Sequence, residues 1–115
     1  CINCFLVVDK ALEHTKAEGD EWVENCWVWL YKGAWEEWDI ETIEMAIPMS
    51  PEQVKIKRNG IFMHQSQKDS VAFIGDDSRE FWQRAEERNA ATAKLYADLG
   101  LTKYAAMEGF VRYHF

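Results

Sequence analysis

Apolar positions recur along this chain in two rhythms, one of three to four residues and one of two, and the switches between them lay out the elements. From Ile2 to Ala17 the apolar density is high, with Phe5, Leu6, Val8 and Leu12 supplying the surface a helix would bury and Gly19 supplying its stop. Between Cys26 and Tyr31 both alternating faces are apolar, Trp27, Trp29 and Tyr31 on one and Val28 and Leu30 on the other, the pattern of a strand covered on both sides. GAWEEWD then reads as a loop opened by Gly33. Ile43, Met45 and Ile47 alternate with Glu44 and Ala46 as a second strand, closed by Pro48.

The next helix announces its start. Ser50 stands as N-cap, Pro51 at the first helical position and Gln53 at the third, a capping-box arrangement. This helix is expected to reach Gln67, with Gly60 as a weak point and with Val54, Lys57, Ile61 and His64 on one face. DSVAFIGDDS is a loop punctuated by Gly75. Asp77 as N-cap and Glu80 at the third position then predict a long helix through Phe81, Trp82, Ala85, Asn89, Thr92, Tyr96 and Leu99, with Gly100 past its end. Charged pairs on it such as Glu80 with Arg84 read as solvent-exposed. Thr102 caps a last predicted helix, KYAAMEGFVRYH, with Tyr104, Met107 and Val111 on one face.

Composition narrows what such a chain can do. At 115 residues, 48% hydrophobic and 14% aromatic, it has material for one small α/β domain with a core. A formal charge of −7 and a pI near 4.9 disfavour nucleic acid and anionic membranes as partners. The runs FLVV and WVWLY fall far short of the roughly 20 residues that span a bilayer, and no signal sequence is evident, so the expected localisation is cytoplasmic. Cys1 and Cys4 form a CxxC, yet a zinc site needs a second pair of ligands, and Cys26 and His14 stand at no recognised spacing. Reduced, buried thiols are the plainer reading. The chain opens at full apolar density with neither Met nor a capping residue, so it reads as a piece of a longer polypeptide cut near its first helix.

Three groups of side chains carry candidate chemistry, each with a plainer alternative. His64, Ser66 and Gln67 can flank a ligand pocket, or His64 can be a helix-end imidazole or a hydrogen-bonded core residue. Lys55, Lys57 and Arg58 can meet a phosphate or form a solvated helix face, and no glycine-rich loop accompanies them. Trp35 and Trp38 can stack on a sugar ring or cover the sheet edge. No Cys or Ser nucleophile with a matching base can be assembled from local spacing.

VWLYKGAWEEWDI, KIKRNGIFMHQSQKD, and DDSREFWQRAEERN followed by YAAMEGFVRYHF together resemble the C-terminal end of proteins that fuse a glucosamine-6-phosphate deaminase-like module to a PIG-L (LmbE-like) N-acetylglucosaminyl deacetylase module. The most general element is a basic residue, a small residue, then H-x-S-Q, here Lys57, Gly60, His64, Ser66 and Gln67. It is similar to a helix found late in many LmbE-like deacetylases. SREFWQRAEERN points to the fused type.

The resemblance implies a Rossmann-like fold and a zinc-dependent hydrolase acting on an acetylated amino sugar. The metal in that family is held by an early A/P-H-P-D-D motif and a later H-x-x-H-type motif, and neither occurs here. Three protein ligands and a water are needed, and this chain supplies none of the motif ligands, so zinc is expected in the parent module and no cofactor in this chain.

The expected fold is thus the C-terminal part of a Rossmann-like deacetylase module, α/β, with two strands and about four helices. Residues 1–70 would close that module and 71–115 would form a helical extension. The expected function is that of a fragment of an amino-sugar-metabolising protein, inactive alone, with Lys57, His64, Ser66 and Gln67 flanking a pocket. A helical interaction or oligomerisation module is the alternative, and an independent enzyme using His64 a third. Loss of the neighbours of the first helix would expose an apolar patch, so a homo-oligomer is expected.

Overall fold

The computed structural model describes residues 2–33, 36–64 and 80–115. The chain is mixed α/β: α1 (Ile2–Ala17), α2 (Glu21–Glu24), β1 (Val28–Leu30), β2 (Met45–Met49), α3 (Pro51–Phe62), α4 (Phe81–Asp98) and β3 (Ala106–Tyr113). The strands form one sheet in the order β1-β3-β2. β2 and β3 are antiparallel, with Met45 opposite Phe110 and Met49 opposite Ala106. Two compact units divide the chain, one of Cys1–Leu30 with Arg112–Phe115, the other of Tyr31–Val111.

In the first unit α1 ends as its sequence dictates. Gly19 takes φ +83°, the Asp20 N–H bonds back to the Thr15 carbonyl and the Gly19 N–H to that of Lys16, the paired bonds of a Schellman stop. The Phe5 ring meets Tyr113 edge-on at 5.3 Å, and the Tyr113 hydroxyl donates to Asp9 at 2.6 Å. Arg112 stacks on Trp27 at 3.8 Å. Val23, in the short α2 that the sequence pattern did not foretell, is the only buried residue among those described in this unit. The thiol of Cys4 is exposed and that of Cys26 half-buried. Leu6 and Val8, expected inside, are 48% and 54% exposed.

Among the described residues, the second unit holds nearly all of the buried side chains. α4 lays Ala85, Asn89, Thr92 and Ala93 inward, and β3 contributes Ala106, Met107 and Glu108. α3 and α4 meet through Phe62 and Trp82 (ring centroids 5.8 Å apart) and through Arg58, which pairs with both Glu86 oxygens at 2.5 and 2.8 Å. α3 starts where the capping signal puts it. Ser50 Oγ accepts from the Gln53 N–H at 3.2 Å and Gln53 Oε1 from the Ser50 N–H at 2.8 Å. Ser50→Ala is expected to cost about 1 kcal/mol of stability, read as a lowered urea midpoint with unchanged slope.

Several elements differ from the pattern's forecast. Residues 103–114 do not form the last predicted helix: Ala106–Tyr113 is strand β3, while the helical part described in this stretch is α4. Met107, Gly109, Val111 and Tyr113 alternate in it. A mid-helix glycine costs about 1 kcal/mol, whereas in β3 the missing Cβ leaves room for Ile43. Among the described residues the sheet therefore has three strands, not two. β2 is shifted by two residues and runs through Pro48, which is tolerated because β2 lies at the end of the strand order and needs no ladder on its outer side. β1 is shorter than Cys26–Tyr31, and Trp27 and Tyr31 at its ends are 60% and 62% exposed.

α3 stops at Phe62 instead of reaching Gln67. Its last turn tightens, with the Met63 N–H bonded to Gly60 O and the His64 N–H to Ile61 O. α4 begins one turn later than forecast, with Glu80 as its N-cap and Gln83 Oε1 accepting the Glu80 N–H at 2.8 Å. Gly100, with φ +94°, stands past its end as predicted.

Candidate functional site

Polar groups converge in the second unit on the carboxylate of Glu108. β3 turns that side chain toward α4, and it is 8% exposed. One oxygen, Oε2, accepts from Lys57 Nζ of α3 at 3.0 Å and from Asn89 Nδ2 of α4 at 2.7 Å. The other, Oε1, accepts from the Arg88 guanidinium in a short charge-assisted contact. Lys57 Nζ also donates to Asn89 Oδ1 at 2.6 Å, and Asn89 Nδ2 to the Met107 carbonyl at 3.1 Å. Asn89, 1% exposed, is thus both donor and acceptor at the centre. The Thr92 hydroxyl lies 2.8 Å from Glu37 Oε2, and Arg88 faces Glu37 Oε1 at 3.8 Å. A loop, two helices and a strand are tied at one point.

Two cations and two carboxylates make this cluster neutral, which is what allows charge to sit inside. Burial alone pushes the Glu108 carboxyl up. Hydrogen bonds from Lys57 and Asn89, with the charges of Lys57 and Arg88, outweigh it and hold the group below the usual carboxylate range. A carboxylate depressed in the folded state contributes stability that is complete above the ordinary value of about 4.5 and is lost as pH falls through the folded value. Urea midpoints are therefore expected to fall with acid below about pH 4.5, and Glu108→Gln to flatten that limb. An unchanged acid limb in that variant would sink the assignment.

The sequence-predicted residues fare differently. Lys57 is drawn into the cluster and does not stand on a solvated face. Arg58 is likewise engaged, by Glu86 and over the Trp82 ring at 5.0 Å. His64 is exposed and lies beyond the C-cap of α3, so it does not share the helical face of Val54, Lys57 and Ile61. Trp38 is half-buried with Lys32 Nζ 4.9 Å from its ring centroid. Ser66, Gln67 and Trp35 lie outside the described residues, as does the Asp77 cap.

Glu37, Arg88, Asn89, Thr92 and Glu108 were not picked out as a site from the sequence. Asn89 and Thr92 carried a signal, being polar at positions four and seven after Ala85 on the inward stripe of α4.

Among the described residues no three His, Cys, Asp or Glu side chains are grouped to hold a metal ion, and no helix is long and apolar enough to cross a membrane. A cleft of about 400 Å³ opens beside the cluster, lined by Val54, Arg58, Glu86, Ala90, Ala105 and Ala106 among others. Apart from Arg88 Nε, which is buried without a hydrogen-bond partner, the tied side chains satisfy one another. Their chemistry is positioning, because a carboxylate shared by three donors is a poor base and an ammonium held by two acceptors a poor nucleophile.

No family profile and no solved structure matches the chain. It is similar to a protein of Bacteroides thetaiotaomicron provisionally named glucosamine-6-phosphate deaminase-like, with 54% identity over 110 residues, which is 96% of this chain and 17% of that protein. The chain spans about one sixth of the length of the curated relative it matches. Over nearly all of its length it is thus similar to one segment of a longer deaminase-like protein.

Proposed function

We propose that this chain is a non-catalytic part of a longer amino-sugar-metabolising protein, glucosamine-6-phosphate deaminase-like, in which it closes a zinc-dependent, LmbE-like N-deacetylase module at the C-terminal side. The observation that carries this reading is the state of Lys57. It is the basic member of the pattern completed by Gly60, His64, Ser66 and Gln67, and its ammonium is committed to Asn89 and Glu108, so α3 serves as a braced wall and not as a source of a reactive group. The 54% identity to a segment of a deaminase-like protein supports the amino-sugar part.

Zinc and its ligands would come from elsewhere in that protein, because the described residues offer no ligand set. Separated from it, the chain would pair with itself through exposed apolar residues of α1, a homo-oligomer that light scattering would detect. The functional test is metal analysis with N-deacetylase and amino-sugar phosphate deaminase assays on the complete polypeptide, run beside this 115-residue chain. Activity is expected in the complete polypeptide alone, and turnover by the short chain would overturn the proposal.

A further inference from the structure

α1 carries two stripes and uses one. Its half-buried positions are Phe5, Asp9, Leu12 and Thr15, and Phe5 and Asp9 both engage Tyr113. A second set, Cys4, Val7, Val8 and Ala11, falls at i, i+3, i+4 and i+7, the spacing of a stripe that a helix buries. All four are exposed, Val7 at 68%, and Ile2 and Leu6 flank them at 71% and 48%. The stripe is uncharged, with Lys10 turned to Glu13 at 2.9 Å. No residue of α1 is buried. A helix whose first two turns are apolar on nearly every side belongs between two layers.

We infer that the Cys4, Val7, Val8 and Ala11 stripe is a docking face for another layer of the same polypeptide, an apolar sheet or helix surface contributed by the rest of a longer chain. The relative indicates that occupant: more than four-fifths of it lies outside the matched stretch. A layer in the same chain also escapes the entropic cost of bringing two molecules together. The inference rests on the reading of this chain as part of a longer protein, but not on any activity of that protein.

Cys4 reports on the face directly. The complete reading frame containing this sequence and the 115-residue chain are each treated with N-ethylmaleimide, and the modification rate at Cys4 is read by peptide mass spectrometry. The short chain, dilute enough to be monomeric, should label at nearly the rate of the urea-unfolded peptide. In the complete polypeptide the rate should fall about 100-fold or more, as for a thiol reached only by local opening. Val7→Asp in the complete polypeptide should restore labelling.

An unchanged rate overturns the inference, as does a reading frame that encodes these residues alone. So does protection in the complete polypeptide that grows with its concentration, which would assign the face to a second copy. Protection in a polypeptide without amino-sugar activity would uphold it while removing the proposed function.

Discussion

Glu108→Ala is expected to destabilise the chain by about 3–5 kcal/mol, the usual consequence of removing one partner from a buried ion pair. The loss falls mainly on Arg88. Its side chain is 8% exposed and its Nε is already buried without a hydrogen-bond partner, so it cannot turn to water when its acceptor goes. Lys57, at 36%, can recover part of its hydration. Asn89 keeps the Met107 carbonyl as an acceptor. Pairing Glu108→Leu with Arg88→Met should be milder than the sum of the two single changes, since together they remove both charges and leave volume in place. Urea unfolding followed by tryptophan fluorescence decides it. A cost for Glu108→Ala below about 1 kcal/mol would mean the cluster behaves as a surface ion pair.

Gly109→Ala is the second large effect, expected at about 1–3 kcal/mol through overpacking. A Cβ built at Gly109 stands 2.7 Å from Ile43 Cδ1, 3.0 Å from its Cγ1 and 3.3 Å from Glu37 Oε1. Such contacts force a side chain to move, and one of the two neighbours belongs to the buried cluster. Ile43→Val removes Cδ1, so the double variant Gly109→Ala with Ile43→Val should recover much of the loss. A double variant no more stable than Gly109→Ala alone would place the strain elsewhere, in the backbone of β3 or at Glu37.

Local signals were legible and long-range ones were not. Ser50, Pro51 and Gln53 specify a helix start with atoms that lie within one turn, so the sequence alone locates the start of α3. Gly19 and Gly100 are readable for the same reason, since a left-handed residue past a helix end needs no distant partner. The segment from Tyr104 to Tyr113 is ambiguous because Tyr104, Met107 and Val111 satisfy a period of 3.6 while Met107, Val111 and Tyr113 satisfy a period of two. Tertiary pairing with β2 decides between them. Helical spacing marks Asn89 and Thr92 as inward polar positions but not what they meet, because Lys57 lies 32 residues from Asn89 and 51 from Glu108 and the three come together only once three elements have packed. Lys57 was singled out on a family pattern, and only the fold shows what it holds.

Pro48 has a consequence for the fate of this chain in concentrated solution. Among the described residues β2 stands at one end of the strand order, where a row of open backbone donors would invite another strand to zip alongside and begin a fibre. Proline brings no N–H to that encounter, and it stands between Ile47 and Met49, within the strand itself. The residue that interrupts the apolar alternation thereby acts as a gatekeeper. Whatever association this chain undergoes is steered away from β-templated aggregation along that edge and toward side-chain packing.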